Sequence, residues 1–290
     1  MNATAQILDG KALAQKLKED LAKEVVRLKK DFGAVPRLVN IMVGNNASAV
    51  SYASSQKRIA DDIGLQYEQQ TLPADITQQK LLDVIKKLNA DKNVHGIMIY
   101  KPLPKGIDFK VLTNSIAPAK DLEGISVTNM GKMILGEPHI VPCTSAAVME
   151  LIRSAGINLR GKEAVIVGRS EIVGRPLILL LLAQNATVTV CHSGTGEHEL
   201  IGHVSRAEVL VVAVGKPAFI KGDWIKTGAI VVDVGINKVG EKFVGDIEFE
   251  KASQRAAFIT PVPSGVGPMT AVMLMRSGIE AFKIQQEAKH

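Results

Sequence analysis

This chain has little that points to disulfides, metal clusters, membranes or nucleic acid. Among its 290 residues there are two cysteines, Cys143 and Cys191. No CxxC pair and no Cys/His ligand spacing accompanies them, which argues against a disulfide framework or a structural zinc and fits a reducing compartment. Aromatic residues make up 4% of the chain, with one Trp, too few for a platform that stacks unpaired bases. The longest apolar run, Leu177 to Ala183, is far short of the roughly 20 residues that span a bilayer. Met1 to Asp9 has no basic start followed by an apolar stretch, so no signal peptide is read. The net charge is +6, yet Lys and Arg are scattered without a basic run, and anionic small molecules explain the excess as well as nucleic acid does. The expectation is a cytoplasmic protein with no metal, membrane or nucleic-acid partner.

What is present is α/β alternation. Apolar content of 46% and charged content of 22% are ordinary for a globular protein, and the length suits one large or two medium domains. The most informative stretch runs from Lys162 to Ser193. Ala164 to Val167 is a continuous apolar run, as in a strand buried on both faces. Gly168-Arg169-Ser170 follows, then Val173-Gly174-Arg175-Pro176 and a helix from Leu177 to Ala183, and then a second strand, Thr187 to Cys191. Strand, glycine turn, helix and strand in about thirty residues make a mononucleotide-binding half of a doubly wound sheet. A phosphate would sit at the helix N-terminus, where free N–H groups and the dipole favour an anion. The spacing is G-x-S-x-x-x-G-x-P, not G-x-G-x-x-G, and such turns also occur without a ligand. An NAD site carries Asp or Glu at the end of the second strand. Here Cys191-His192-Ser193 stands there. With Arg169 in the turn, this favours a 2′-phosphate and hence NADP, although Arg169 as a plain surface-turn residue stays open.

Before that unit, Asp9 is expected to cap a helix with a stripe of Leu13, Leu17, Leu21, Val25 and Leu28. Leu38 to Val43 reads as a strand, and Ser48 as the N-cap of a helix that carries Tyr52, Gln56, Lys57 and Arg58 and reaches Ile63. A strand at Gln66 to Gln70, a helix from Thr77 to Leu88, a strand from Gly96 to Tyr100 and a short helix from Asp108 to Ser115 follow. Lys120 to Pro142 reads as a long loop, with Thr144 or Ser145 capping the next helix, Ala146 to Ser154. Past Ser193 come a helix near Glu197 to Val204, strands Val209 to Ala213 and Ile230 to Val234, and a proline-rich turn from Thr260 to Thr270 in which one X-Pro bond is a candidate for cis. The Val214-Gly215 turn and Gly235-Ile236 follow strand ends, where ligands lie in parallel sheets. A helix from Thr270 to about Glu287 closes the chain.

Five stretches, VGNNASAVSYASSQK (Val43 to Lys57), IVPCT (Ile140 to Thr144), VIVGRSEIVGRP (Val165 to Pro176), VVDVGIN (Val231 to Asn237) and ITPVPSGVGPMT (Ile259 to Thr270), occur in this order. In them the chain resembles the methylenetetrahydrofolate dehydrogenase/cyclohydrolase family, over nearly its whole length. The resemblance implies two α/β domains, the second a Rossmann-like doubly wound parallel sheet. The boundaries expected are 1–143 for a folate-binding catalytic domain, joined by the C-terminal helix 270–290, and 144–269 for an NADP-binding domain. It further implies a folate cleft between them, a homodimer, and oxidation of 5,10-methylene-tetrahydrofolate to the methenyl form, which is then hydrolysed to 10-formyl-tetrahydrofolate. Cofactor contacts are expected from Thr144, Gly168, Arg169, Ser170, Val173, Gly174, His192, Ser193, Val214, Gly215 and Ile236. Substrate contacts are expected from Tyr52, Tyr100, Lys101, Glu123, Pro263, Gly267 and Thr270, and the catalytic group from Tyr52, Gln56, Tyr100 and Glu123.

Three positions on the folate side depart from the family's pattern. Gln56 stands where Tyr-x-x-x-Lys has its lysine, Tyr100 where a Gln is usual, and Glu123 in place of an Asp; Ser264 for Gly is a milder change. Residues four apart on a helix share a face, so Tyr52 and Gln56 point into the same space. Lysine could exchange a proton there, whereas glutamine only donates and accepts hydrogen bonds. Lys57 lies about 100° further round the helix. Hydride transfer rests on geometry, while hydrolysis needs activated water. The expectation is therefore a dehydrogenase with weak or absent cyclohydrolase activity. The alternatives are an ordinary bifunctional enzyme, a sensor that binds folate or NADP without turnover, and an unrelated dehydrogenase.

Overall fold

The computed structural model describes residues 4–288, the Ser48 side chain excepted. In chain order the elements are β1 (Gln6–Ile7), α1 (Gly10–Phe32), β2 (Arg37–Val43), α2 (Ala47–Ile63), β3 (Gln66–Leu72), α3 (Gln78–Ala90), β4 (Gly96–Ile99), α4 (Phe109–Ser115) and α5 (Val127–Ile134). They continue with α6 (Cys143–Ser154), β5 (Glu163–Val167), α7 (Gly174–Ala183), β6 (Thr187–Cys191), α8 (Glu197–Arg206), β7 (Val209–Val212) and β8 (Ile230–Asp233). Last come β9 (Asn237–Val239), β10 (Lys242–Val244), α9 (Phe249–Ala252), β11 (Phe258–Ile259) and α10 (Val266–Glu287).

The chain divides into two compact units, one holding residues up to Gln15 and Thr144–Thr270, the other Lys16–Cys143 and Ala271 onward. The division falls inside α1 and α10. The expected boundaries, 1–143 with 270–290 and 144–269, differ from this at the N-terminal end, because β1 pairs in parallel with β11, Gln6 opposite Phe258 and Ile7 opposite Ile259. Gln6 N and Leu8 N donate to Ala257 O and Ile259 O along that pairing, and Ala5 N donates to Ser253 O, so residues 5–8 side with the later sheet.

The six-stranded unit has the parallel order β1-β11-β8-β7-β5-β6. Ala164 to Val167 are 0 to 2% exposed, so β5 is covered on both faces, as its unbroken apolar run requires. From β5 the chain goes outward to β6 and then back past β5 to β7. The switch point, where a doubly wound sheet takes its ligand, therefore lies at the carboxyl ends of β5 and β7.

The three-stranded unit has the parallel order β3-β2-β4. Val39, Ile41 and Val43 face a cluster built with Leu81, Ile85 and Leu112. Leu38, Asn40 and Met42 take the opposite face, since successive side chains alternate. On that face Gly278 of α10 lies against Leu38, where an added Cβ would come within 2.6 Å of Leu38 Cδ2. Gln285 Nε2 ties the same helix to His95 O and Ala119 O at 2.8 and 3.0 Å. Lys120 is buried, its ammonium donating to Leu88, Asn89 and Asp91 carbonyls at 2.7 to 3.0 Å. It satisfies the C-terminal carbonyls of α3 and complements the helix dipole.

Several local expectations are corrected. Ser48 as a cap falls on a side chain outside the described residues; α2 starts one residue earlier, and Asn46 Oδ1 accepts the Ala49 N–H at 3.2 Å. The stretch read as a loop after Lys120 contains α5, capped by Ser126. Ser145 is not a cap but lies inside α6, and its hydroxyl donates to Val173 O at 3.0 Å. α7 begins at Gly174 and α10 at Val266, each a few residues before the apolar runs that announced them. Asp9 does cap α1, accepting the Lys11 and Ala12 N–H groups at 2.9 and 3.0 Å. The Lys101-Pro102 and Val262-Pro263 bonds are cis. Among the described residues no helix is long and apolar enough to cross a membrane.

Candidate active site

In the three-stranded unit, a polar cluster sits in an otherwise apolar place. Asn40 is the lone amide in the buried strand β2 and is fully buried; Gln56, on α2, is 1% exposed. Gln56 Oε1 accepts from Asn40 Nδ2 at 3.0 Å and from the Tyr67 hydroxyl at 2.9 Å, and also from the Tyr100 hydroxyl. Asn40 Nδ2 additionally contacts the Tyr67 hydroxyl and lies 3.3 Å from that of Tyr100; the two hydroxyls are 3.1 Å apart. Tyr52 packs edge-on to Tyr100, ring centroids 6.1 Å apart, and is 43% exposed. Burial pushes the Tyr100 hydroxyl well above its ordinary pKa, with Tyr67 adding to the shift. Burial raises Tyr67 too, against the pull of its bonds to Tyr100 and Asn40. Both phenols are therefore neutral donors near pH 7, not bases.

Glu123 is held by a turn that the buried Asp121 organises, its carboxylate accepting from Gly124 N, Ser126 N and Asn129 Nδ2 at 2.9 to 3.0 Å. Burial lifts the Glu123 carboxyl to about 7; Asp121 adds to the rise and Lys101 opposes it. Lys101 is exposed, its ammonium 4.0 Å over the Phe109 ring. Lys57 is paired with Asp61, 3.0 Å from each carboxylate oxygen.

In the six-stranded unit, Gly168 ends β5 with φ +128°, and a Cβ there would meet Ala213 O at 2.3 Å. A Cβ on Gly174 would meet Gly168 O at the same distance. The turn is thus as close to its neighbours as a backbone can be. Ser170 Oγ accepts Val173 N at 3.2 Å and Gly174 N at 3.5 Å, bracing the turn that leads into α7. At the end of β6, His192 Nδ1 accepts the Gly194 N–H at 3.1 Å. Neutral His192 therefore carries its proton on Nε2, as a donor. Arg169 and Ser193 are exposed, and the end of β6, Cys191-His192-Ser193, carries no carboxylate.

Two buried aspartates tie the neighbouring strand ends together. Asp246 accepts the N–H groups of Val214, Gly215 and Lys216 at 2.7 to 2.9 Å and Asn237 Nδ2 at 2.9 Å. Asp233 accepts Gly235 N, Asp246 N and Ile247 N at 2.9 to 3.0 Å. Burial pushes the Asp233 carboxyl up to about 7, against those backbone donors. A cavity of about 520 Å³ is lined by Thr144, Val173, Asp233, Ile236 and the 261–268 turn, with Thr270. Residues expected at the cofactor (Thr144, Val173, Ile236) and at the substrate (Pro263, Gly267, Thr270) thus share one pocket.

Residues 8–123 match the profile of the tetrahydrofolate dehydrogenase/cyclohydrolase catalytic domain, and residues 142–286 that of the family's NAD(P)-binding domain. The chain belongs to the tetrahydrofolate dehydrogenase/cyclohydrolase family. It is 49% identical over 286 residues to the bifunctional protein FolD of Acetivibrio thermocellus, covering 98% of this chain and 99% of that one. Among solved structures, the bifunctional FolD enzyme of Campylobacter jejuni is 41% identical with a TM-score of 0.93, covering 97% of this chain and 99% of that one. The Trypanosoma brucei FolD, solved with NADP cofactor and an inhibitor, is 37% identical with a TM-score of 0.91, covering 99% of each chain.

As a member of this family the chain carries its NAD(P)-binding domain, and the local geometry fits a dinucleotide. Gly168 and Gly174 leave no room for a side chain at the turn, and the end of β6 offers a histidine donor instead of a ribose-binding carboxylate. Gly168, Arg169, Ser170, Gly174, His192, Ser193, Val214 and Gly215 gather at the ends of β5, β6 and β7 and do not line the 520 Å³ cavity. Tyr52, Gln56 and Tyr100 do come together. Asn40, Tyr67, Asp121, Asp233 and Asp246 were not singled out from sequence. Asn40 alone left a signal there, as an amide inside an apolar strand.

Proposed function

We propose that this chain is an NADP-dependent 5,10-methylene-tetrahydrofolate dehydrogenase whose hydrolysis of the methenyl product is weak or absent. The observation that carries the second clause is Gln56: the position that would hold a lysine is an amide whose carbonyl takes three donors. Neither neighbouring lysine is a ready replacement, since Lys57 is paired with Asp61 and Lys101 rests on Phe109. Tyr67 and Tyr100 stay protonated near neutral pH. Opening a methenyl bridge needs water activated by a proton acceptor, which general base catalysis supplies at about 10²–10⁴-fold. Oxidation of the methylene carbon asks less, because the folate nitrogen's own lone pair drives it and the protein has to hold the partners in place.

NADP, when bound, supplies the hydride acceptor. Gly168, Arg169, Ser170, Gly174, His192, Ser193, Val214 and Gly215, with Thr144, Val173 and Ile236, are the residues assigned to hold it. Tyr52, Tyr100, Lys101 and Glu123 are assigned to the folate, as are Pro263, Gly267 and Thr270. The same proposal includes a homodimer, which light scattering of the purified protein would test.

A second reading, the efficient bifunctional enzyme, draws on Glu123. A carboxyl lifted to about 7 exchanges protons at neutral pH, and the relatives named above are bifunctional by name. Decay of methenyl-tetrahydrofolate with purified protein separates the two. A rate near the spontaneous one supports the dehydrogenase reading. Rapid decay that Glu123→Gln abolishes establishes the second.

A further inference from the structure

An amide has two chemically opposite ends, and the cluster around Gln56 engages only one. Oε1 is the common acceptor for Asn40, Tyr67 and Tyr100. A carbonyl oxygen offers two lone pairs, so three donors leave it no capacity for a ligand. Among the described residues, Gln56 Nε2 has no hydrogen-bond partner in this cluster. The arrangement is held at a cost: Asn40 turns its Nδ2 to Gln56 and leaves its own Oδ1 buried without a partner. An unpaired buried carbonyl of this kind costs about 1–3 kcal/mol. Asn40 is therefore oriented by what it gives to Gln56, not by its own hydrogen-bonding needs. The two phenols, neutral and within reach, reinforce the same polarity.

We infer that Asn40 and Tyr67 are positioning residues that fix the Gln56 amide as a one-way hydrogen-bond donor to the folate substrate. The inference rests on the reading above that Gln56 lies at the folate site. A lysine ammonium has donors only. Glutamine with its carbonyl tied off presents the same polarity, with no proton to release. Binding of an acceptor atom on the substrate is thereby kept, while proton exchange is lost. Tyr67 touches no substrate in this scheme; it acts through Gln56.

A double-mutant cycle tests this, because residues acting through one another are non-additive. Tyr67→Phe, Gln56→Met and the double variant are compared for KM of methylene-tetrahydrofolate and for the Kd of tetrahydrofolate by calorimetry. Gln56→Met is expected to raise both constants about 5- to 20-fold, the scale of one hydrogen bond, and Tyr67→Phe, which leaves Asn40 and Tyr100 on the carbonyl, by about 2- to 5-fold. The double variant should be no worse than Gln56→Met, and the KM for NADP should move less than about twofold in all three, the scatter within which distant sites stay independent. If Tyr67→Phe does not fold, Asn40→Val takes its place in the cycle, a β-branched residue suited to a buried strand. Full additivity, or an unchanged folate Kd in Tyr67→Phe, overturns the inference. Methenyl hydrolysis is not read in this cycle, so efficient hydrolysis would sink the dehydrogenase reading and leave this inference standing.

Discussion

Asp233 and Asp246 are linked side chain to backbone: the Asp246 N–H donates to Asp233 Oδ1 at 3.0 Å, while the Asp246 carboxylate reaches on to three successive N–H groups of the 214–216 turn. A strand end that lines the large pocket is thereby wired to a turn assigned to the cofactor. Asp246→Asn would replace one oxygen by an NH₂ that opposes the turn's own donors. Hydrogen bonds to a charged acceptor contribute about 1.5–3 kcal/mol each. The expected result is a loss of about 2–4 kcal/mol in urea unfolding, with weaker NADPH binding in a fluorescence titration. Stability and affinity like those of the parent protein would refute the link.

Gly168 gives a second expectation. With φ at +128° and a would-be Cβ 2.3 Å from Ala213 O, the position excludes a side chain on two counts. Gly168→Ala must move β7 or the turn. A stability loss of about 2 kcal/mol or more is expected, along with at least tenfold weaker NADPH binding. Binding at parental strength would mean that the turn plays no part in holding the dinucleotide.

The α/β alternation, the glycine turn and the missing carboxylate after β6 are local features, so they were legible in the sequence. Asp9 as a cap was legible for the same reason. α5 was not, because eight residues with Gly131 in their middle show little period, and the Ser126 cap that starts it depends on a turn fixed by Asp121. The pairing of β1 with β11 joins segments some 250 residues apart, which no local pattern reports. The Gln56 cluster divides in the same way. Tyr52 and Gln56 share one helix face and could be paired by spacing, whereas Asn40, Tyr67 and Tyr100 arrive from three different strand positions. Asp246 looks like any loop aspartate until the 214–216 turn closes around it.

Glu123 makes stability depend on pH in a definite direction. Its carboxyl sits at about 7 when folded, against an ordinary 4.5. A raised folded value means that the native state binds the proton more tightly, so the contribution is present below about pH 4.5 and is lost as pH rises through 7. Glu123→Gln stays neutral throughout. The variant and the parent should melt alike at pH 4, and at pH 8 the variant should be more stable by about 1–3 kcal/mol. A gap that does not change between the two pH values rules this out.

The strongest expectation concerns restoring the lysine. Gln56→Lys places an amine where Tyr67 and Tyr100 now donate, and both hydroxyls can rotate to accept instead, since a phenol oxygen serves either way. The site is buried, so desolvation pulls the lysine's pKa down toward neutrality, the condition under which it can pass protons to and from water. Asn40 then becomes the obstacle: its Nδ2 faces Gln56 and would meet an ammonium, two donors with no acceptor between them. Its amide must turn, bringing the unpartnered Oδ1 onto the new charge. Because that rotation satisfies an atom now orphaned, it opposes part of the burial cost. Methenyl hydrolysis in Gln56→Lys should therefore rise about 10²-fold or more over the parent, the lower end of what general acid–base catalysis contributes. Adding Asn40→Val removes the carbonyl that the lysine needs and should take most of the gain away. Hydrolysis equally slow in parent and Gln56→Lys would show that the amide at this position is not what limits the second reaction.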